Sequence, residues 1–362
     1  MHSINVTKSS LPPFEEYCAE IRDIWDSAWL TNMGRKHQAL EAALSDYLGA
    51  RHLSLFSNGH LALEAMLRVM DLQGEVITSP FTFASTVHAI VRCGLKPVYC
   101  DIKYSDYTID EDKVEALINE CTCAILPIHV YGNVCNHEKL AAVAQKHHIK
   151  LLYDAAHSFG EHYQGISTAN MGDACIFSFH ATKVFHTIEG GAVCFADPAL
   201  REKLYLEKNF GIPNAEEVIA VGGNAKMNEF QAAMGLCNLR HVDSYIQQRR
   251  ALCERYAAHL QGLPLRLCPV QEGLRSNYSY LPVLFAEGQR DKVFAALKAE
   301  NIHARKYFYP LCNAFACYED SSDSTPIAKD VSRRILTLPL YPDLPPEDVD
   351  RICGILKEVL HA

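Results

Sequence analysis

The stretch FSFHATKVFHTIEGG, residues 177–191, decides the fold together with LLYDAAHSFG, residues 151–160. Each stretch has a short apolar run typical of a buried strand, and each run is followed by a residue able to do chemistry, Lys183 or Asp154. A pyridoxal enzyme needs a lysine that holds the cofactor aldehyde as a Schiff base and a carboxylate that faces the pyridine nitrogen. The strand-like run CIFSF, residues 175–179, lies between these two residues and could place both at one edge of a sheet.

Short β-branched runs alternate with helical patterns through much of the chain. The runs are HLSLFS (52–57), EVITSP (75–80), LKPVYCDI (95–102), AILPIHVYG (124–132), LLYD (151–154), CIFSF (175–179) and GAVCFA (191–196). Such alternation predicts an α/β fold with a mostly parallel sheet, helices on both faces and ligands at the carboxyl ends of the strands.

The pattern changes after about residue 225. A long helical stretch is followed by a strand-like run and a further helical run, residues 228–260, 279–286 and 290–300. We therefore predict a large cofactor-binding domain over residues 1–240 and a smaller α+β domain over residues 241–362.

The composition favours an ordinary enzyme. The chain has 362 residues, and its net charge of −9 argues against nucleic acid or an anionic membrane as the main partner. No apolar run approaches the roughly 20 residues of a membrane span, and the first residues lack a signal-peptide pattern, so we expect a cytoplasmic protein. The one close cysteine pair, Cys121 and Cys123, has no matching second pair, so we expect no metal site.

The first predicted strand ends in the turn Ser57-Asn58-Gly59-His60, before a predicted helix. Free backbone N–H groups and the positive end of the helix dipole at such a turn suit a phosphate, so Asn58, Gly59 and His60 are candidate ligands. The same turn is also found at many helix starts that bind nothing.

Eight segments, taken in order, resemble one family. They are WLTNMG (29–34), SNGHLALEAML (57–67), SPFTFASTVHAI (79–90), PIHVYGN (127–133), DAAHSFG (154–160), SFHATK with EGGAV (178–193), GGNAKMNEFQAAMG (222–235) and RKYFYPL (305–311). Over nearly its whole length the chain resembles the DegT/DnrJ/EryC1/StrS sugar aminotransferases, which are fold type I pyridoxal phosphate (PLP) enzymes. The resemblance implies that Lys183 is the Schiff-base lysine and the proton-transfer group, and that Asp154 pairs with the pyridine nitrogen. The plainer alternatives are a surface lysine and an N-cap aspartate.

The resemblance also assigns contacts around the cofactor. It implies that His157 lies near the phenolic oxygen, that Phe83 stacks on the pyridine ring, and that Ser178 donates to the phosphate together with the amides of Gly59 and His60. The family commonly has threonine at the His60 position, so this sequence departs from the pattern there. An imidazole or a water molecule could replace the missing hydroxyl, whereas the backbone N–H of His60 keeps its role.

Further resemblances concern the substrate and a second subunit. Asn224 matches a residue that reaches the phosphate of the neighbouring subunit, which implies a homodimer with shared active sites. Lys226 stands where the family often has arginine, and Tyr309 matches a residue bordering the substrate pocket. Arg305 and Lys306 could meet an acidic group or merely water.

The resemblance implies transfer of an amino group from L-glutamate to a keto sugar linked to a nucleoside diphosphate. The motifs are most similar to family members that act on C4 of dTDP-4-keto-6-deoxyglucose. Amination at C3, a PLP-dependent dehydratase or lyase, and a noncatalytic PLP-binding regulator stay open as alternatives. Relatives that remove a sugar hydroxyl carry histidine at the position of Lys183, so the lysine favours transamination.

Overall fold

The computed structural model describes residues 2–318 and 324–361. Within these ranges the strands are, in chain order, β1 (Ile4–Asn5), β2 (Leu53–Phe56), β3 (Glu75–Thr78), β4 (Lys96–Tyr99), β5 (Thr122–Ile125), β6 (Lys150–Asp154), β7 (His162–Tyr163), β8 (Ile166–Ser167), β9 (Ala174–Ser178), β10 (Gly191–Phe195), β11 (Leu265–Leu267), β12 (Leu274–Arg275), β13 (Leu281–Phe285), β14 (Ile302–His303) and β15 (Ile335–Leu338). Seven strands form a central sheet in the order β2-β10-β9-β6-β5-β3-β4, and three smaller sheets are β1-β14, β11-β13-β15 and β12-β7-β8.

The central sheet is mostly parallel, as predicted. Strands β4, β3, β5, β6 and β9 pair in parallel, whereas β10 runs antiparallel to both of its neighbours, β9 and β2. The carboxyl ends of β2, β6 and β9 therefore meet at one edge of the sheet, together with the first residue of β10. The predicted α/β fold is confirmed.

Helices cover both faces of this sheet. In the described part of the chain they are α1 (Phe14–Ser27), α2 (Arg35–Leu48), α3 (Gly59–Val69), α4 (Ala84–Arg92), α5 (Glu111–Val114), α6 (His137–His147), α7 (Leu200–Lys208), α8 (Glu229–Leu260), α9 (Gln289–Ala299), α10 (Pro326–Arg334) and α11 (Pro346–His361). Successive strand residues alternate between two apolar cores: Leu151 and Tyr153 pack in one, and Leu152 packs in the other. This alternation of buried residues explains why the strands read as nearly continuous apolar runs.

Helix α8 links the central sheet to the C-terminal part. Its start is fixed by a capping box, in which Asn228 accepts from the Gln231 N–H at 2.9 Å and Gln231 accepts from the Asn228 N–H at 3.2 Å. Val242 packs in a central core, while Tyr256 belongs to a separate core with β13, β15 and α11. Residue 240 lies inside this helix, and the domain boundary there stays a prediction.

Within residues 2–318 and 324–361, no helix combines the length and the apolar character needed to cross a bilayer.

Candidate active site

Most of the predicted site residues lie at the edge of the sheet where the parallel strands end. Asp154 is the last residue of β6, Ser178 is the last residue of β9, and Asn58 and Gly59 follow β2 directly. Because the carboxyl ends of these strands share one edge, residues from three separate segments of the chain come together there.

A cradle of backbone atoms lies at the start of α3. The Asn58 side chain caps this helix by accepting from the Leu61 N–H at 2.8 Å, while the first-turn N–H groups of Gly59 and His60 have no partner inside the helix. A Cβ atom on Gly59 would lie 2.8 Å from Cβ and 3.0 Å from Oγ of Ser178. Glycine thus leaves room for a small anion between the two N–H groups and the Ser178 hydroxyl.

The His60 side chain is occupied elsewhere. Its Nδ1 lies 2.8 Å from Ser85 Oγ, and its Nε2 lies 3.0 Å from the buried carboxylate of Glu64. Since both ring nitrogens have protein partners, the imidazole does not take the place of the family's threonine hydroxyl. His60 offers its backbone N–H to the cradle.

Asp154 is a buried and well-anchored carboxylate, with 5% of its surface exposed. Thr86 Oγ1 donates to its Oδ2 at 2.7 Å, and the Ala156 N–H donates to its Oδ1 at 3.1 Å. Burial raises the pKa of Asp154, while Thr86, Ala156 and the positive charge of Lys183 act in the opposite direction. A cationic ring nitrogen facing this carboxylate would stabilise its charged form further.

Lys183 follows β9 and faces Tyr280 of the C-terminal part. Its Nζ donates to Tyr280 Oη at 3.5 Å. Burial lowers the pKa of Lys183 to about 8; Asp154 raises this pKa and the charge of Arg305 lowers it. An appreciable fraction of this amine is therefore neutral near neutral pH and available as a nucleophile or base.

His157 is held as a neutral hydrogen-bond donor. The Tyr131 N–H donates to His157 Nδ1 at 3.0 Å, and burial together with the charge of Lys183 lowers the pKa of His157 well below its usual value. Since Nδ1 accepts, the ring proton is on Nε2. The ring lies parallel to Phe308 at 6.1 Å and edge-on to Tyr280 at 4.8 Å, so its orientation is fixed.

An aromatic wall completes the site. Phe83, the residue before α4, keeps 51% of its surface exposed and meets Tyr307 edge-on at 6.5 Å. Tyr307 in turn packs edge-on against Tyr280 at 6.0 Å. The sequence pattern did not single out Thr86, Tyr280 or Tyr307. The two tyrosines are far from Lys183 along the chain, and only folding brings them near it.

Three further candidates make their described contacts elsewhere. Tyr309 is 52% exposed, and the Arg290 guanidinium lies 5.0 Å from its ring centre. Asn224 is exposed and forms a β-bridge with Asn209, while Lys226 Nζ lies 4.7 Å from the ring centre of Phe210. The substrate role of Tyr309 and the roles of Asn224 and Lys226 stay predictions.

The residues present fit PLP. The cradle at α3 has the N–H groups and the space for its phosphate, and the buried Asp154 suits its ring nitrogen. Lys183, with its lowered pKa, supplies the amine that its aldehyde requires. The exposed ring of Phe83 offers a flat apolar face beside them.

Comparison with known proteins gives consistent matches. A model of the DegT/DnrJ/EryC1/StrS aminotransferase family matches residues 14–357. The chain is 39% identical over 365 residues to a dTDP-4-amino-4,6-dideoxy-D-glucose transaminase of Escherichia coli, with 98% of each chain covered.

Two solved structures are similar over almost the whole chain. DesI, solved in the presence of its TDP-sugar product, is 32% identical with a TM-score of 0.94, covering 99% of this chain and 93% of that one. Spr1654 of Streptococcus pneumoniae, described as a sugar aminotransferase and solved in its PLP form, is 26% identical with a TM-score of 0.93, covering 99% of both chains.

Proposed function

The chain belongs to the DegT/DnrJ/EryC1/StrS aminotransferase family of PLP-dependent enzymes, and we propose that it moves the amino group of L-glutamate to a keto sugar linked to a nucleotide. The acceptor carbon is C4 of dTDP-4-keto-6-deoxyglucose. The observation that carries the proposal is Lys183, an amine with a lowered pKa beside the buried Asp154 and the cradle at α3.

Several residues of the site would hold PLP. The N–H groups of Gly59 and His60 and the hydroxyl of Ser178 would bind its phosphate, Asp154 would pair with its ring nitrogen, and Lys183 would bind its aldehyde carbon. His157 would donate from Nε2 to the phenolic oxygen, and the ring of Phe83 would pack on the cofactor ring. Asn58 contributes by ordering the turn, because its side chain already caps α3.

The protein's own groups move the protons. When bound, PLP supplies an electron-withdrawing ring that stabilises negative charge at the substrate carbon and carries the amino group between the two substrates. Lys183 Nζ, once free, takes the proton from the α carbon of glutamate, and its lowered pKa allows it to do so near neutral pH. In the second half of the cycle the same amine returns a proton to the sugar carbon.

The choice of sugar is supported by relatives. The Escherichia coli relative bears the name of a dTDP-4-amino-4,6-dideoxy-D-glucose transaminase, and DesI was solved with a TDP-sugar product. The name of the Escherichia coli relative supports amination at C4, and the DesI complex supports a TDP-linked sugar. The aromatic wall of Phe83, Tyr280 and Tyr307 gives an open, partly polar face on which a pyranose ring can pack.

A homodimer with shared sites is part of the proposal. Large apolar side chains are exposed in two segments of the chain, residues 11–30 and 210–221: Leu11, Phe14, Trp25, Trp29, Leu30, Phe210, Val218, Ile219 and Val221. Trp25 lies against Phe230 at 5.6 Å, and the Glu229 N–H donates to Leu30 O, which holds the first of these segments against the start of α8. Exposed apolar side chains in this number fit burial against a second copy of the chain, with Asn224 reaching the partner's phosphate site.

The test begins with the visible absorption spectrum of the purified protein loaded with PLP, before and after L-glutamate. We expect the band of the lysine-bound cofactor to disappear in the wild type with release of 2-oxoglutarate. Lys183→Ala should show neither change. A panel of 3-keto and 4-keto sugar nucleotides is then offered to the aminated enzyme, and the products are identified by mass and NMR.

Each alternative gives a distinct result. Faster reaction of a 3-keto sugar would replace the C4 assignment, and loss of a sugar hydroxyl without use of glutamate would indicate a dehydratase. A spectrum indifferent to glutamate and to other amino donors would leave a PLP-binding protein without transaminase activity.

A further inference from the structure

A second cation lies on the aromatic wall beside Lys183. We propose that Arg305 binds the anionic group of a substrate through the free edge of its guanidinium. The anion is a carboxylate of the amino donor or the diphosphate of the sugar nucleotide. The choice of these two anions rests on the proposed function, whereas the presence of an anion site does not.

The main chain at Arg305 is firmly anchored. Its N–H donates to Thr337 O at 3.1 Å, and its carbonyl oxygen accepts from the Thr337 N–H at 2.8 Å and from Thr337 Oγ1 at 2.9 Å. Thr337 is fully buried in β15. These backbone hydrogen bonds fix the position of the Arg305 Cα beside β15. The guanidinium takes no part in them.

The side chain is held against the wall of the site. The Arg305 guanidinium carbon lies 3.9 Å from the ring centre of Tyr307, and Tyr307 packs edge-on against Tyr280 and Phe83. Tyr280 in turn accepts from Lys183 Nζ at 3.5 Å. This chain of contacts connects the guanidinium to the reacting amine through two aromatic rings.

Arg305 has no anionic partner in the described part of the chain, although its side chain is exposed and the whole chain has a net charge of −9. Its neighbour Lys306 differs, since Lys306 Nζ lies 2.5 Å from Asp291 Oδ1. A guanidinium stacked on a ring keeps its in-plane N–H groups free, and these match the two oxygens of a carboxylate or phosphate. The open position beside Lys183 is thus suited to an incoming anion rather than to a structural ion pair.

The charge of Arg305 also acts on Lys183. Burial lowers the pKa of Lys183 and the charge of Arg305 lowers it further, whereas burial raises the pKa values of Tyr280 and Tyr307 and the charge of Arg305 acts against that rise. An anion bound to Arg305 offsets this charge and makes Lys183 a better proton acceptor at the moment when a substrate is present. Binding and proton transfer are coupled in this way.

The test measures binding of two probes to the PLP-loaded protein by titration calorimetry. The probes are succinate, a dicarboxylate that cannot donate an amino group, and thymidine diphosphate. We expect Arg305→Met to weaken one or both by about 10- to 100-fold, because a charge-assisted bidentate contact is lost. Arg305→Lys should recover only part of the affinity, since an ammonium lacks the planar fork.

Arg51→Met is the matched control. Arg51 is exposed and precedes β2, whereas the site follows that strand, so the control lies at the opposite edge of the sheet. Loss confined to succinate assigns the donor carboxylate, and loss confined to thymidine diphosphate assigns the acceptor. Unchanged binding of both probes in Arg305→Met, or equal loss in Arg51→Met, overturns the inference. Wild-type protein that binds the probes through Arg305 but never releases 2-oxoglutarate from glutamate overturns the proposed donor and leaves the anion site standing.

Discussion

Removing the Thr86 hydroxyl should weaken the hold of Asp154 on the cofactor. Thr86 is fully buried, and its Oγ1 donates to Asp154 Oδ2 at 2.7 Å. Valine puts a methyl group in place of that hydroxyl and leaves the Ala156 N–H, at 3.1 Å, as a donor to the other oxygen. A hydrogen bond to a buried carboxylate contributes about 1.5–3 kcal/mol, so the charged form of Asp154 loses that stabilisation.

The expected consequence is a fall of about 10-fold or more in PLP affinity for Thr86→Val, since 1.4 kcal/mol corresponds to about a factor of ten. The loss also raises the pKa of Asp154 beyond the increase already caused by burial. Because only the ionised carboxylate holds a protonated ring nitrogen, affinity falls as the pH falls. In the variant this fall should begin at a higher pH than in the wild type.

The assay is titration of the apoprotein with PLP at a series of pH values, followed by absorbance. Thr82→Val is the matched control. Thr82 Oγ1 lies 2.8 Å from Thr86 Oγ1, so its hydroxyl influences Asp154 only by way of the Thr86 hydroxyl. We expect its PLP affinity to stay within about twofold of the wild type. A Thr86→Val protein with wild-type affinity and an unshifted pH profile would refute the reasoning.

Three further predictions concern the lysine, the cradle and the subunit boundary. With the pKa of Lys183 lowered to about 8, the rate at which apoprotein captures PLP should rise steeply between about pH 7 and 8 and level off above about pH 9. A rate that keeps rising up to the ordinary lysine pKa of 10.5 would contradict the lowered pKa. Gly59→Ala puts a Cβ 2.8 Å from Ser178 Cβ and should weaken PLP binding about 10-fold. The control Gly354→Ala, where a Cβ meets nothing within 4 Å, should bind PLP normally, and equal titrations of the two variants would argue against the cradle. Co-expressed Lys183→Ala and Asn224→Asp chains, each inactive alone, should recover up to about a quarter of wild-type turnover, because a mixed dimer keeps one intact site. Verified mixed dimers without activity would show that Asn224 does not serve its partner.

Most of the central sheet could be predicted from local sequence. The run at 151–154 became β6 (Lys150–Asp154), and the run at 191–196 became β10 (Gly191–Phe195), because buried strands in a covered sheet are apolar on both sides. The strand predicted at 124–132 extends well beyond the end of the observed strand. Strand β5 ends at Ile125, since Pro127 cannot donate to a strand ladder and Tyr131 turns the chain with φ of 59°.

The antiparallel course of β10 was not visible in the sequence. A run of apolar residues such as GAVCF has the same appearance in either direction, and the direction depends on how the connection from β9 turns back. This direction matters for the site, because it places Gly191 at the same edge as Asp154 and Ser178.

The sequence by itself determined the residues that adjoin the strand ends. Asp154, Ser178 and the Asn58-Gly59 turn each follow an apolar run directly, and parallel strands carry such positions to a common edge. Lys183 could be singled out as a candidate for a similar reason, since the residue lies five positions after the end of β9.

Tertiary structure alone decided the surroundings of these residues. In the C-terminal part of the chain, Tyr280 contacts Lys183 and the charge of Arg305 acts on it. No local pattern encodes such proximity across roughly a hundred residues of chain. The lowered pKa of Lys183 likewise comes from burial and from the charge of Arg305, opposed by Asp154. Burial and distance between charges are properties of the folded chain, so the sequence names the candidate groups and the fold sets their pKa values.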